Sequence, residues 1–139
     1  MSLVLAAARA SLSPARPEPS FQVSRSQINP AFHQLSLEDA WGCLAHWVVP
    51  LPLKHLAKRP MLLWRLPSAG PASALTCLDT GPCRLVPAHP DTRADLRADL
   101  DEGLLRLNLS GQLLRGYFRL QCLPEGGGQL WQLTPIGYV

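Results

Sequence analysis

The segment between Gly103 and Leu133 constrains the fold of this chain most strongly. Within it, Leu105, Leu107 and Leu109 alternate with polar residues, which is the period of two expected of a β-strand with one face in a core and the other in water. Two further strand-like runs follow, separated by a loop rich in proline and glycine at 124–128. Consecutive strands joined by short turns predict an antiparallel sheet.

Composition extends this prediction to the whole chain. The 139 residues are 47% hydrophobic, which is enough to build the core of one domain. Fourteen prolines and ten glycines disfavour long helices and favour many turns. We therefore predict an all-β fold, a small closed or partly open β-barrel of about six to eight mostly antiparallel strands with one short helix.

The remaining strands are predicted from short apolar or alternating runs that end at turn-forming residues. A turn at 79–82, Asp-Thr-Gly-Pro, is predicted to separate two of them. These upstream strands lie at 21–23, 32–38, 43–50, 61–66, 74–78 and 83–86.

The single helix is predicted near residues 92–100, where Ala-Asp-Leu-Arg is followed by a near copy of itself. Asp91 or Thr92 is suited to cap its first turn, and Gly103 is suited to end it. The Asp and Arg side chains of this helix are expected to form a solvated face.

Residues 1–20 are predicted to be a flexible leader, and residues 21–139 the barrel domain. The leader resembles a transit peptide in carrying arginines and few acids, but Pro14 and Pro17 break any amphipathic helix. No apolar run reaches the roughly 18 residues that a membrane helix needs. We therefore expect a cytoplasmic protein with no membrane partner.

The four cysteines include no C-x-x-C pair, so a zinc site is not expected. Free thiols in a reducing compartment are the simplest interpretation. A disulfide between Cys77 and Cys83, across the predicted turn, is the alternative.

Basic residues indicate a possible surface for nucleic acid. The net charge is +3, a mild excess that permits an anionic partner without requiring one. If they share one side of the barrel, five cations could contact phosphates; otherwise they form a solvated basic surface. Trp41, Trp64 and Trp131 could stack on bases if exposed, but strand context favours the core. The candidate nucleic-acid-binding residues are Arg25, Lys54, Lys58, Arg59 and Arg65.

The order of motifs resembles the 3′-phosphoesterase domain of bacterial DNA ligase D, across nearly all of residues 21–134. Trp47 to Pro50 is similar to the W-A-V-P of that family, and Asp79 and Gly81 match its V-x-V-W-D-x-G turn. The resemblance implies a compact barrel that trims 3′ phosphates or ribonucleotides at DNA ends with manganese, beside other DNA-repair proteins. The family pattern G-x-L-x-F-x-L-x-G-x-x-L-x-G-x-F-x-L, followed by W-x-L, is matched by Gly103, Leu105, Leu107, Leu109, Gly111, Leu114, Gly116, Phe118, Leu120, Trp131 and Leu133.

The segment that carries the catalytic residues of the family is mostly not matched in this sequence. The segment F-V-V-x-x-H-x-A-x-x-L-H-Y-D-F-R-L-E of the family places His, Asp and Arg on one strand face around the metal and the phosphate. Only the glutamate is retained here, as Glu38, and His33 is offset by one residue, which turns it to the opposite face. The resemblance therefore implies a barrel without the metal-dependent activity and with no metal or other cofactor. The other family positions are occupied by Ser26, Phe32, Gln34 and Ser36.

Three functional hypotheses follow from the residues and the resemblance. The first is a degenerate phosphoesterase-like domain linked to DNA end processing and repair, which binds nucleic acid or acts as an accessory domain and associates with the nucleoid. The second is a protein-interaction or scaffold barrel with no nucleic-acid role. The third is a rebuilt enzyme that uses His33, Glu38 and His46 on another substrate, which requires these three side chains to converge.

Overall fold

In a computed structural model of the protein, which describes residues 18–42, 44–50, 55, 57–67, 75–87 and 94–137, eight antiparallel strands close into a barrel. The order around the barrel is β1, β2, β3, β4, β8, β7, β6 and β5, and β5 pairs with β1 to complete the ring. The predicted all-β barrel is confirmed. The strands are β1 Ser20–Ser26, β2 His33–Glu38, β3 Leu44–Val49, β4 Met61–Leu66, β5 Leu75–Leu85, β6 Leu104–Ser110, β7 Arg115–Cys122 and β8 Leu130–Gly137.

The alternating leucines of β6 form part of the barrel interior. Leu105, Leu107 and Leu109 are buried, as their period of two predicts. Trp47 of β3 and Trp131 of β8 meet edge to face across the same interior, with ring centroids 5.5 Å apart and ring planes at 75°. Such an aromatic pair adds about 0.5–1.5 kcal/mol to the free energy gained from burying its surface.

A short helix, α1 (Leu96–Glu102), closes one end of the barrel, which we call the helix end. The side chain of Asp95 caps it by accepting a hydrogen bond from the Ala98 N–H. Gly103 ends it in the left-handed conformation, at φ 83°, which favours glycine. The predicted end at Gly103 is confirmed, but the predicted start is wrong because the cap lies at Asp95. Among the described residues, no helix is long and apolar enough to cross a membrane.

The first and fifth strands are longer than predicted. Strand β1 begins at Ser20, inside the predicted leader, and the Cys83 N–H donates to the Pro19 carbonyl at 2.7 Å; residues 1–17 lie outside the described part of the chain. Strand β5 runs unbroken through Gly81, so the predicted turn at 79–82 is wrong. A side chain at Gly81 would overlap the carbonyl group of Ser110, which shows how closely β5 lies against the end of β6.

This continuity decides the state of two cysteines. Cys77 and Cys83 lie six positions apart on one strand, a separation of about 20 Å at 3.3 Å per residue, so the disulfide alternative is wrong. Both are free thiols, as is Cys122. Burial raises the pKa of the Cys83 thiol to about 12, which keeps it protonated and unreactive.

Asp79 of β5 holds the turn that closes the opposite end, which we call the turn end. Its Oδ1 atom accepts the Gln112 N–H at 2.7 Å, and its Oδ2 atom accepts those of Leu113 and Leu114 at 2.8 and 2.9 Å. The carboxylate is only 4% exposed, so these three bonds replace the water that it loses. A Cβ atom at Gly111 would lie 2.5 Å from Asp79 Oδ2, which explains the glycine there.

We expect Asp79→Asn to lower the free energy of unfolding by about 2–4 kcal/mol, because the amide turns one acceptor into a donor that faces backbone N–H groups. Urea unfolding followed by tryptophan fluorescence measures this loss. Asp101→Asn makes the same chemical change at an exposed position of α1 and should cost less than about 0.5 kcal/mol. Equal losses in the two variants would contradict the role assigned to Asp79.

Candidate functional site

The outward residues of β1, β2 and β3 line a pocket of about 220 Å³, which we call the β1–β3 pocket. Its position follows from alternation, because the intervening residues of the same strands, such as Val23, Leu35 and Trp47, are buried in the core. The strand register places Ser24 beside Gln34 and Ser36 beside His46. The polar residues that line the pocket are Ser20, Gln22, Ser24, Gln34, Ser36, Glu38, His46 and Thr80.

Three of these side chains form a hydrogen-bonded network. Gln34 Nε2 donates to Ser36 Oγ at 2.9 Å, and Ser36 Oγ lies 2.8 Å from His46 Nδ1. The amide nitrogen can only donate, and it also lies 3.5 Å from His46 Nδ1, so a ring that accepts at Nδ1, with Ser36 as its donor, suits both neighbours. This assignment makes His46 a neutral imidazole with its proton on Nε2.

The electrostatics of the site agree with a neutral His46. Burial lowers the pKa of His46, the positive charge of Arg65 lowers it further, and Glu38 acts in the opposite direction. Loss of hydration disfavours the charged ring, and a nearby cation adds to that effect. A neutral ring has one unprotonated nitrogen, so Nδ1 can act as an acceptor at neutral pH.

The structure brings two of the three candidate catalytic residues to one pocket and separates the third from them. Glu38 and His46 line the β1–β3 pocket. His33 is the first residue of β2 and lies on the opposite face from Gln34, as its offset predicts; it is 6% exposed, and its Nδ1 atom has no hydrogen-bond partner. His33, Glu38 and His46 therefore do not converge as the rebuilt-enzyme hypothesis requires.

The manganese that the resemblance implies does not fit the donors in this pocket. Manganese is bound mainly by carboxylate, carbonyl and imidazole groups. Glu38 and His46 are the two ionisable residues that line the pocket, and His46 Nδ1 is already hydrogen-bonded to Ser36. Across the part of the chain that the structure describes, no three His, Cys, Asp or Glu residues are grouped to hold a metal ion.

The predicted basic residues lie at both ends of the barrel. Arg25 is near the end of β1, and Lys58 and Arg59 belong to the connection from β3 to β4, so these three lie at the turn end. Arg65, near the other end of β4, lies at the helix end and places its guanidinium over the rings of Trp47 and Trp131, 6.0 and 5.8 Å from their centroids. The structure therefore does not bring Arg65 together with the other cations; Lys54 lies outside the described residues.

The tryptophans named as possible stacking residues differ in burial. Trp131 is 1% exposed and belongs to the core, whereas Trp41 and Trp64 are 65% and 45% exposed, so the expectation of a core position is wrong for these two. Leu62 shares the outward face of β4 with Trp64 and is also exposed.

Sequence reasoning missed part of the pocket lining. Gln22 and Ser24 of β1 and Thr80 of β5 face the pocket, and Gln22 Nε2 donates to Ser24 Oγ at 3.0 Å. The alternation of these two β1 residues with Phe21 and Val23 was a usable signal. Thr80 gave no such signal, because the sequence predicts a turn at 79–82 and so places Thr80 outside any strand.

We expect the lowered pKa of His46 to make stability depend on pH. The unfolded ring binds a proton near its ordinary pKa of about 6.5, and the folded ring binds one only at lower pH. The free energy of unfolding should therefore be constant above that value and fall as the pH drops below it. Urea unfolding at several pH values measures this fall.

His46→Asn is the control, because its side-chain oxygen can replace Nδ1 as the acceptor from Ser36 and does not titrate. The fall in stability just below pH 6.5 should be smaller in this variant. An NMR titration that gives His46 an ordinary or raised pKa would contradict the arrangement described here.

Comparison with protein-family models found no matching family, and comparison with curated proteins found no matching relative. Function is therefore inferred from the chemistry of the β1–β3 pocket and of the charged surfaces, together with the motifs that resemble the phosphoesterase domain.

Proposed function

We propose that this protein is a phosphoesterase-like barrel that binds nucleic acid as an accessory domain in bacterial DNA end processing, and that it lacks metal-dependent cleavage. The observation that carries the proposal is the neutral network of Gln34, Ser36 and His46. It occupies the strand face on which the resemblance would put the metal and phosphate ligands. The pocket therefore keeps polar groups for a ligand without the charges of a metal site.

Replacing the charged metal-binding and phosphate-binding residues of the family by uncharged ones lowers the rate enough to remove catalysis. A metal ion in a phosphoryl-transfer site stabilises the transition state by several kcal/mol. Removal of one electrostatic stabiliser commonly costs about 100-fold to 1000-fold in rate. Here the aspartate and arginine positions of the family are held by Gln34 and Ser36, which carry no charge and bond to each other.

The same groups are suited to binding. Hydroxyls and amides such as those of Ser24 and Gln22 can donate hydrogen bonds to a phosphate or to a sugar oxygen. The volume of about 220 Å³ is below the roughly 300 Å³ at which sites for small drug-like ligands begin, so it suits the end of a nucleic-acid strand better than a whole cofactor. Glu38 opposes an anion, and its pairing with Ser20 and Leu44 places it at the helix end of the pocket.

A second candidate function is a protein-interaction barrel without a nucleic-acid role. The exposed pair Leu62 and Trp64, at 51% and 45% exposure on β4, favours it, because large apolar side chains grouped on a surface mark interaction sites. Salt dependence separates the two functions, since phosphate contacts weaken steeply as salt rises. Absence of binding to DNA at low salt would favour the protein-interaction barrel.

We expect Glu38→Gln to tighten binding of a 3′-phosphorylated oligonucleotide by about threefold to tenfold, because it removes a carboxylate near the phosphate and keeps the side-chain shape. Gln34→Leu should weaken the same binding, because it removes the amide donor. Fluorescence anisotropy at low salt measures both changes. Gln112→Leu, an amide removed from an exposed turn residue, is the matched control and should bind like the unaltered protein.

The same proteins should release no phosphate from a 3′-phosphorylated primer-template in the presence of manganese. Robust turnover that is lost in Glu38→Ala or His33→Ala would overturn the proposal, because it would show that a metal-dependent site operates.

A further inference from the structure

The outward side of β5, β6 and β7 carries exposed arginines that no sequence motif indicates. We call this surface the arginine face. The strand register joins its residues into a lattice, in which Arg84 pairs with Asn108, Asn108 with Tyr117, Arg106 with Arg119 and Ser110 with Arg115. Its four exposed cations are Arg84, Arg106, Arg115 and Arg119.

These side chains share one face because the residues between them point inward. Leu107 and Phe118 are at most 1% exposed, so their neighbours on each strand face outward. Residues paired across strands have Cβ atoms about 5 Å apart, and same-face neighbours along a strand lie about 7 Å apart. The arginines therefore form a regular array of positive charge on the barrel wall.

This array is not neutralised by its own strands. Strands β6 and β7 contain no acidic residue, and the one acid of β5, Asp79, is buried in its bonds to the turn. Asp99 of α1 interacts electrostatically with Arg106 at the border of the face. Glu18, Asp39 and Asp95 line one pocket with Arg84, so acids from neighbouring segments lie beside Arg84 and Arg106.

The pairing of Arg106 with Arg119 is unfavourable for the isolated protein. Like charges directly opposite on neighbouring strands destabilise a sheet, and a bound polyanion would remove that repulsion. Two adjacent guanidinium groups can each bind a phosphate through parallel N–H bonds. Tyr117, half-buried between Arg115 and Arg119 along β7, adds an aromatic ring suited to base stacking.

We infer that the arginine face binds the phosphate backbone of a single nucleic-acid strand, with Tyr117 in contact with a base. The inference rests on the proposed nucleic-acid role and names the surface that performs it. A nucleic-acid strand has regularly spaced phosphates and bases that can stack. It therefore matches an array of arginines around the aromatic ring of Tyr117 better than an acidic peptide does. Recognition of this kind holds the backbone and does not read sequence.

The test is the salt dependence of binding to a fluorescein-labelled single-stranded oligonucleotide. In Arg106→Gln/Arg119→Gln, two phosphate contacts are lost, so the slope of log K against log salt should become shallower by about 1.4, at about 0.7 per contact. Binding at low salt should weaken at least about tenfold. The melting temperature should stay the same or rise, because the repulsive pair is gone, and this separates lost contacts from misfolding.

Arg119→Gln alone should make the slope shallower by about 0.7. Arg97→Gln is its matched control, because it removes one exposed arginine from α1, outside the arginine face. This control should keep the slope of the unaltered protein. Equal losses in the two single variants would overturn the inference in favour of a net-charge effect, and loss confined to the control would overturn it while the nucleic-acid role stands. If the protein binds a polyglutamate peptide more tightly than the oligonucleotide, the choice of partner is overturned. If the unaltered protein does not bind DNA at low salt, the proposed function itself is overturned.

Discussion

The buried carboxylate of Asp79 is the interaction on which both candidate surfaces depend. It fixes the turn between β6 and β7 through three backbone N–H groups, and so ties the end of β6 to β5. Strand β5 in turn pairs with β1 on its other side and closes the barrel. Strand β5 therefore positions Thr80 at the β1–β3 pocket and Arg84 on the arginine face. Loss of the Asp79 carboxylate would disturb both surfaces.

Periodicity predicted the parts of the fold that depend on burial alone. The leucines of β6 and the opposite faces of His33 and Gln34 follow from alternation, which each strand carries in its own sequence. The path of β5 could not be predicted in this way. Asp-Thr-Gly-Pro is a local turn signal, and it is overridden because Asp79 bonds to a turn more than thirty residues away. The start of α1 was missed for a simpler reason, since Asp91 and Asp95 are equally good caps in a segment that repeats itself.

The candidate site was predictable only within one strand. The outward face of Gln34, Ser36 and Glu38 follows from the alternation of β2, and this was enough to expect a groove without metal ligands. Their meeting with His46 depends on the register between β2 and β3, which the hydrophobic pattern of either strand alone does not specify. The arginine face was missed for the same reason, because Arg106 and Arg119 lie thirteen positions apart in sequence and become neighbours only through the pairing of β6 with β7.

The two surfaces lie on adjoining walls of the barrel and share β5. Thr80 lines the pocket, and Arg84 lies four residues further along the same strand, about 13 Å away at 3.3 Å per residue. A few nucleotides are long enough to cover this distance, so under the proposed function one strand could place its end in the β1–β3 pocket while its backbone continues over the arginines. In such an arrangement the pocket would distinguish the chemistry of the terminus and the arginines would supply most of the affinity. Affinity and recognition of the strand end would then depend on different residues, so a substitution could change one of these properties without changing the other.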